Sequence, residues 1–157
     1  IFFMSLLNSR TPVWITGMQA KGALAIQQAD LEPIPVGYLV VEPGMKVGKV
    51  GKATLIKQKE HRKAAAYALA AQYFGMRFVY LEAGSGATKP VPPEMVMAVS
   101  SAVDIPIIVG GGLKTPEAVV QRLVAGADII VTGTVIEKDF EKLRKIISEI
   151  NKFKRRS

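Results

Sequence analysis

Glu82 stands in a run that could handle both a proton and an anion: Tyr80-Leu81-Glu82-Ala83-Gly84-Ser85-Gly86. A carboxylate at the end of an apolar run can accept a hydroxyl proton or orient that hydroxyl as a nucleophile. It can equally cap the backbone N–H groups of the glycines behind it. Tyr80 could donate a hydrogen bond to the same ligand, or be a core aromatic with its hydroxyl satisfied. Gly84, Ser85 and Gly86 can gather backbone N–H groups around an anion, since glycine has no Cβ to bar the approach. The pattern recurs twice. Gly110-Gly111-Gly112 follows the apolar residues 105–109, and Gly133-Thr134 follows residues 128–132. Each precedes a helical segment, whose first N–H groups and positive dipole end favour an anion. Tight strand-to-helix turns also want glycine. Two such turns in succession favour phosphate.

Other residues are less telling. Lys46, Lys49 and Lys52 lie in residues 45–53, rich in Gly and Lys and without a regular period. That stretch reads as a loop that holds a second phosphate group, closes as a lid, or is simply solvated. Asn8 and Ser9 end the first apolar run and either reach a ligand or make a turn. His61 is the sole histidine and is expected on the surface near a helix start. With it alone, no Ser-His-Asp set and no metal-ligand spacing can be assembled.

These residues need a scaffold. Residues 1–7, 36–41, 77–82, 105–109 and 127–131 read as strands, and 13–28, 60–74, 92–102, 115–125 and 140–153 as helices. Thr115 suits an N-cap and Pro116 the first helical position. Within 77–82, alternation puts Phe78, Tyr80 and Glu82 on one face, and Val79 and Leu81 on the other. Strands that alternate with helices form a parallel sheet, and nearly continuous apolar strands imply that both its faces are covered. The fold class is therefore α/β: the C-terminal five β/α units of a TIM (β/α)8 barrel, with the N-terminal strands missing from this chain. Residues 1–157 form a single domain, a partial barrel holding strands four to eight. Ile1 opens directly into a strand, so further sequence is expected upstream. The alternative is an open doubly wound sheet, but that fold carries its phosphate glycines after its first strand. Here they follow the last three. In a barrel those loops share the mouth where active sites are built.

Composition bounds the rest. The 157 residues are 49% apolar and 22% charged, without cysteine. No disulfide framework or thiolate metal site is possible. No apolar run approaches the ~20 residues that span a bilayer. The net charge of +8 could attract phosphorylated substrates, nucleic acid or anionic lipid. The dispersal of the basic residues favours a soluble basic surface instead. The dense group Lys152–Arg156 suits the end of a last helix by its dipole.

Taken together, the residues resemble the geranylgeranylglyceryl phosphate synthase family, along the full chain. Residues 2–9, residues 34–38 with Pro43-Gly44, and residues 80–87 are similar to its fourth, fifth and sixth strands. Gly110-Gly111-Gly112 and Val131-Thr132-Gly133-Thr134 are similar to the seventh and eighth. The resemblance implies a cytoplasmic, homo-oligomeric prenyltransferase of archaea, with relatives in bacteria. Such an enzyme moves a geranylgeranyl group from geranylgeranyl diphosphate to sn-glycerol 1-phosphate, making the first ether bond of archaeal membrane lipids. It implies that Tyr80, Leu81, Glu82, Ala83, Gly84, Ser85 and Gly86 hold the glycerol phosphate, with Glu82 the catalytic group on its hydroxyl. Gly111, Gly112, Gly133 and Thr134 would hold its phosphate. Mg²⁺ would neutralise the diphosphate. The family's Mg²⁺ ligands lie in its first two strands, so none is expected in this chain, and the fragment alone is expected to be inactive. Two other readings stay open: another phosphate-binding barrel enzyme of sugar-phosphate or amino-acid biosynthesis, and a non-catalytic phosphate-binding fragment. No nucleic acid or transmembrane segment is expected.

Overall fold

Runs dense in Val, Ile, Tyr and Phe pleat into strands, because branched and aromatic side chains pack well on a half-buried sheet. They are β1 (Phe2–Leu6), β2 (Ile34–Val40), β3 (Phe78–Glu82), β4 (Ile107–Gly110) and β5 (Ile129–Val131). The computed structural model describes residues 1–133 and 139–153. Among these, the strands make one parallel sheet in the order β1-β2-β3-β4-β5. Parallel neighbours in chain order, each joined through a helix, are the repeating unit of a (β/α) barrel wall.

The helices are α1 (Met18–Gln28), α2 (Met45–Val50), α3 (His61–Tyr73), α4 (Pro93–Ser100), α5 (Pro116–Val124) and α6 (Phe140–Lys152). A π-helical turn, Val13–Gly17, precedes α1. The Thr115 side chain caps α5 as its sequence promises, accepting from Ala118 N at 3.2 Å, with Pro116 at the first helical position. Asp139 caps α6 in the same way, accepting from Lys142 N at 3.0 Å.

One expectation needs correction. Residues 45–53 are not a loop throughout: Met45–Val50 is α2. Interior glycine argues against a helix by propensity, but here packing decides. A Cβ on Gly48 would lie 2.8 Å from the Leu55 side chain, and one on Gly51 2.3 Å from Leu6.

Strand alternation sorts the core. Leu39, Val79, Leu81, Ile107 and Val109 face α3, α4 and α5 in the main core. Val36, Tyr80 and Ile108 cluster on the opposite face, and Glu82 shares that side by alternation. Central strands β3 and β4 are thus covered on both faces, as expected. The outer strands are not. Phe2 and Met4 on β1 are 43% and 42% exposed, and Ile129 and Val131 on β5 are each 38% exposed. Each is only partly covered by the described residues, Phe2 by the Phe78 ring at a centroid distance of 6.0 Å.

Candidate active site at the strand ends

At the end of β3 the backbone is clamped on both sides. Ala83 N donates to Gly110 O at 3.1 Å, and Gly44 N donates to Ala83 O at 2.9 Å. The chain then turns back at Gly84, whose φ is +100°. This folds the Gly84 N–H onto its own loop's carboxylate, donating to Glu82 Oε1 at 2.6 Å. Glu82 is 7% exposed. Capping of the glycine loop is thus realised, and it uses only part of the group. The Tyr80 and Tyr38 hydroxyls also donate to Glu82.

The electrostatics suit a base. Burial pushes the Glu82 carboxyl above the usual carboxylate range, against the opposing pull of the Gly84 N–H and of the Tyr80 and Tyr38 hydroxyls. Both phenols are pushed up as well, first by burial and then by the charge of Glu82, so they stay protonated and act as donors. The two rings pack edge to face, with centroids 4.9 Å apart.

Opposite Glu82 stands the turn after β4. Gly111 has φ +83°, and a Cβ there would lie 2.5 Å from Glu82 Oε1 and 2.6 Å from Gly84 N. Only glycine allows the two loops to approach so closely. Between them is a cavity of about 130 Å³. Glu82, Ser85, Gly86, Gly111, Gly112 and Gly133 all line it. Sequence alone placed these residues, from three separate loops, at one mouth, and the structure brings them together.

Other candidates fall elsewhere. Leu81 and Ala83 are fully buried in the helix-side core, and Gly84 contributes through its N–H to Glu82. Thr134 lies outside the described residues. Asn8 is consumed by backbone. Its amide donates to Val40 O at 2.8 Å and Thr54 O at 3.0 Å, and its oxygen accepts from Val40 N at 3.0 Å. Ser9 donates to Gly51 O at 2.7 Å. Both tie β1 to the residues around α2. Lys49 and Lys52 are exposed, while Lys46 borders a second cavity. His61, half-buried at the start of α3, has Nε2 2.9 Å from Gln58 O.

That second cavity, about 540 Å³, opens beside the first and shares Ser85 with it. Met4, Leu6, Trp14, Met18 and Val50 make it apolar, and Tyr38 links it to Glu82. Sequence reasoning did not single out Tyr38 as a site residue. The available signal was its place, two residues before the end of β2, as Tyr80 is before the end of β3. The register pairs Tyr38 with Tyr80 and Val40 with Glu82.

The described residues do not fit Mg²⁺. No group of three or more His, Cys, Asp or Glu among them could hold a metal ion. Glu82 is already engaged by the Gly84 N–H.

Known proteins resemble this chain closely. It is 58% identical over 153 residues to the geranylgeranylglyceryl phosphate synthase of Thermococcus gammatolerans, covering 96% of this chain and 61% of that protein. With the synthase of Thermococcus kodakarensis it shares 57% over 154 residues, 97% of this chain and 61% of that protein. The chain thus spans about 61% of the length of these curated relatives. Among solved structures, wild-type GGGPS from Thermoplasma volcanium superposes with a TM-score of 0.95 at 46% identity, covering 99% of this chain and 64% of that one. The Thermoplasma acidophilum (S)-3-O-geranylgeranylglyceryl phosphate synthase, solved in complex with its substrate sn-glycerol-1-phosphate, gives 0.95 at 49%, covering 98% and 63%. The family model that matches spans residues 1–152, and by that match and these identities the chain belongs to the PcrB family.

Proposed function

We propose that the protein of which these residues form part is a prenyltransferase, moving a geranylgeranyl group from geranylgeranyl diphosphate to sn-glycerol 1-phosphate. One observation carries this reading. A buried carboxylate with raised proton affinity lines a small glycine-walled cavity, which shares Ser85 with a larger apolar cleft beside it. The first suits a compact phosphorylated alcohol, the second a hydrocarbon chain. In the proposed step the acceptor's primary hydroxyl oxygen attacks the first prenyl carbon. A carbon–oxygen ether bond forms, and the bond from that carbon to the diphosphate oxygen breaks. Diphosphate leaves with the electron pair, and Glu82 takes the hydroxyl proton. Backbone N–H groups of Gly111, Gly112, Gly133 and Thr134 hold the acceptor phosphate. The relatives' names, and the acceptor bound in the Thermoplasma acidophilum enzyme, support this assignment.

The Mg²⁺ requirement is part of the same proposal. It rests on the family resemblance, with ligands outside this chain. The sheet is proposed to close into a full barrel through strands ahead of Ile1. The exposed Phe2, Met4, Ile129 and Val131 support this, since open edges and a bare inner face are liabilities that closure removes. The greater length of the relatives supports it too. Cytoplasmic residence is proposed from the family resemblance; none of the described helices is long and apolar enough to cross a membrane. Homo-oligomer formation fits the exposed Tyr73 and Phe74 at the end of α3, 76% and 73% exposed.

The test uses the intact natural gene product with both substrates and Mg²⁺. Release of diphosphate together with formation of the prenyl glyceryl ether phosphate is expected. Release of diphosphate without ether product would refute the assignment.

A further inference from the structure

The acceptor cavity has a charge axis. Among its described lining residues Glu82 is the anion and Lys114 the cation. Lys114 sits two residues beyond Gly112 and directly before Thr115, the N-cap of α5, a nine-residue helix. Its ammonium donates across the cavity rim to Gly86 O at 3.4 Å, joining the loop after β4 to the loop after β3. That contact is long for a charged donor, which normally sits nearer 2.8 Å. Among the described residues no carboxylate forms an ion pair with Lys114. The side chain is exposed and can swing.

We infer that Lys114 is a specificity-determining residue that exchanges its weak bond to Gly86 for the anionic end of the ligand. The inference rests on the proposed acceptor and adds a recognition element to that site. Backbone N–H groups bind any well-placed oxygen. A mobile ammonium beside them favours a ligand that carries net negative charge, and draws it in over a longer range. With Glu82 at the other pole, a hydroxyl settles toward the carboxylate and the phosphate toward Lys114 and the α5 N-terminus. The cavity then selects a phosphorylated alcohol over its uncharged counterpart and fixes its direction.

The test measures inorganic phosphate binding to the intact gene product by calorimetry, at low and high salt, for wild type, Lys114→Met and Lys114→Arg. Exposure and screening limit the expected loss in Lys114→Met to roughly two- to fivefold. Its affinity should also depend less on salt than that of wild type. Lys114→Arg should keep both properties, and all three proteins should melt together. In the transfer assay Lys114→Met should raise the acceptor KM by a similar factor, with kcat and the prenyl diphosphate KM unchanged. Equal phosphate affinity and equal salt dependence in Lys114→Met and wild type would overturn the inference. So would an equal loss in Lys114→Arg, which would make Lys114 only a clasp between loops. The phosphate arm needs no turnover, so failure of the proposed transfer reaction would be seen separately.

Discussion

Two cavities lie side by side at the C-terminal ends of the strands, and they are built by opposite means. The first is small, walled by glycine turns, and organised around a buried carboxylate with a fixed backbone partner. The cleft beside it is about four times larger, walled by Met, Trp, Leu and Val side chains, several of them exposed. A polar site needs fixed positions for its donors, because a misplaced N–H is lost to a ligand. An apolar cleft needs only shape and area, and flexible Met side chains supply both with tolerance. The same substitution should therefore have very different consequences on the two sides of Tyr38.

The largest effect on acceptor binding is expected at Gly111. A Cβ there collides with Glu82 Oε1 and Gly84 N, and φ +83° is strained for any other residue. Gly111→Val should push the two loops apart and raise the acceptor KM by roughly a hundredfold, as misplacements near 1 Å do. An unchanged acceptor KM in a folded variant would remove this turn from the site. Next comes Tyr38→Phe. Its hydroxyl helps hold the Glu82 pKa down, so its loss should raise that pKa further. The acid limb of the kcat/KM profile should then move to higher pH, with the basic limb unmoved. A shift to lower pH would mean that the hydroxyl is not a donor to Glu82.

Smaller still is Met18→Ala in the apolar cleft. Partial loss of apolar contact should raise the prenyl diphosphate KM roughly two- to fivefold and leave the acceptor KM alone. A change in the acceptor KM instead would dissolve the division between the two cavities. Gly133→Ala is the smallest for the fold. Among the described residues no atom lies within 4 Å of its added Cβ, so thermal melting should be unchanged within about 0.5 kcal/mol.

Much of this was legible in the chain because local rules and tertiary needs agreed. Thr115-Pro116 announced a helix start and made one. Alternation along 78–82 put Tyr80 and Glu82 on the inner face, and glycines at the ends of three apolar runs met at one mouth. What escaped depended on contacts between distant segments. α2 carries a glycine that propensity penalises, and a Cβ there would press on the Leu55 side chain. Asn8 read as reaching a ligand or making a turn, but its amide completes the backbone pairing of Val40. Tyr38 reaches Glu82 through cross-strand register, which a single strand does not reveal.

The central claim is that Glu82 is a buried base whose position costs stability and serves transfer. Its folded-state pKa is raised by burial. The stability it contributes is therefore full below its unfolded pKa and is lost as pH rises through the folded value. Above that folded value the ionised group disfavours folding. Glu82→Gln keeps the shape and removes the charge. In the intact gene product it should lower kcat by roughly 10² to 10⁴, while its melting temperature at neutral pH equals or exceeds that of wild type. That advantage should shrink as pH falls through the raised folded-state value and vanish below the ordinary carboxylate range. Measured together, a near-normal kcat with a lower melting temperature would contradict the account and leave Glu82 as the cap of a glycine loop.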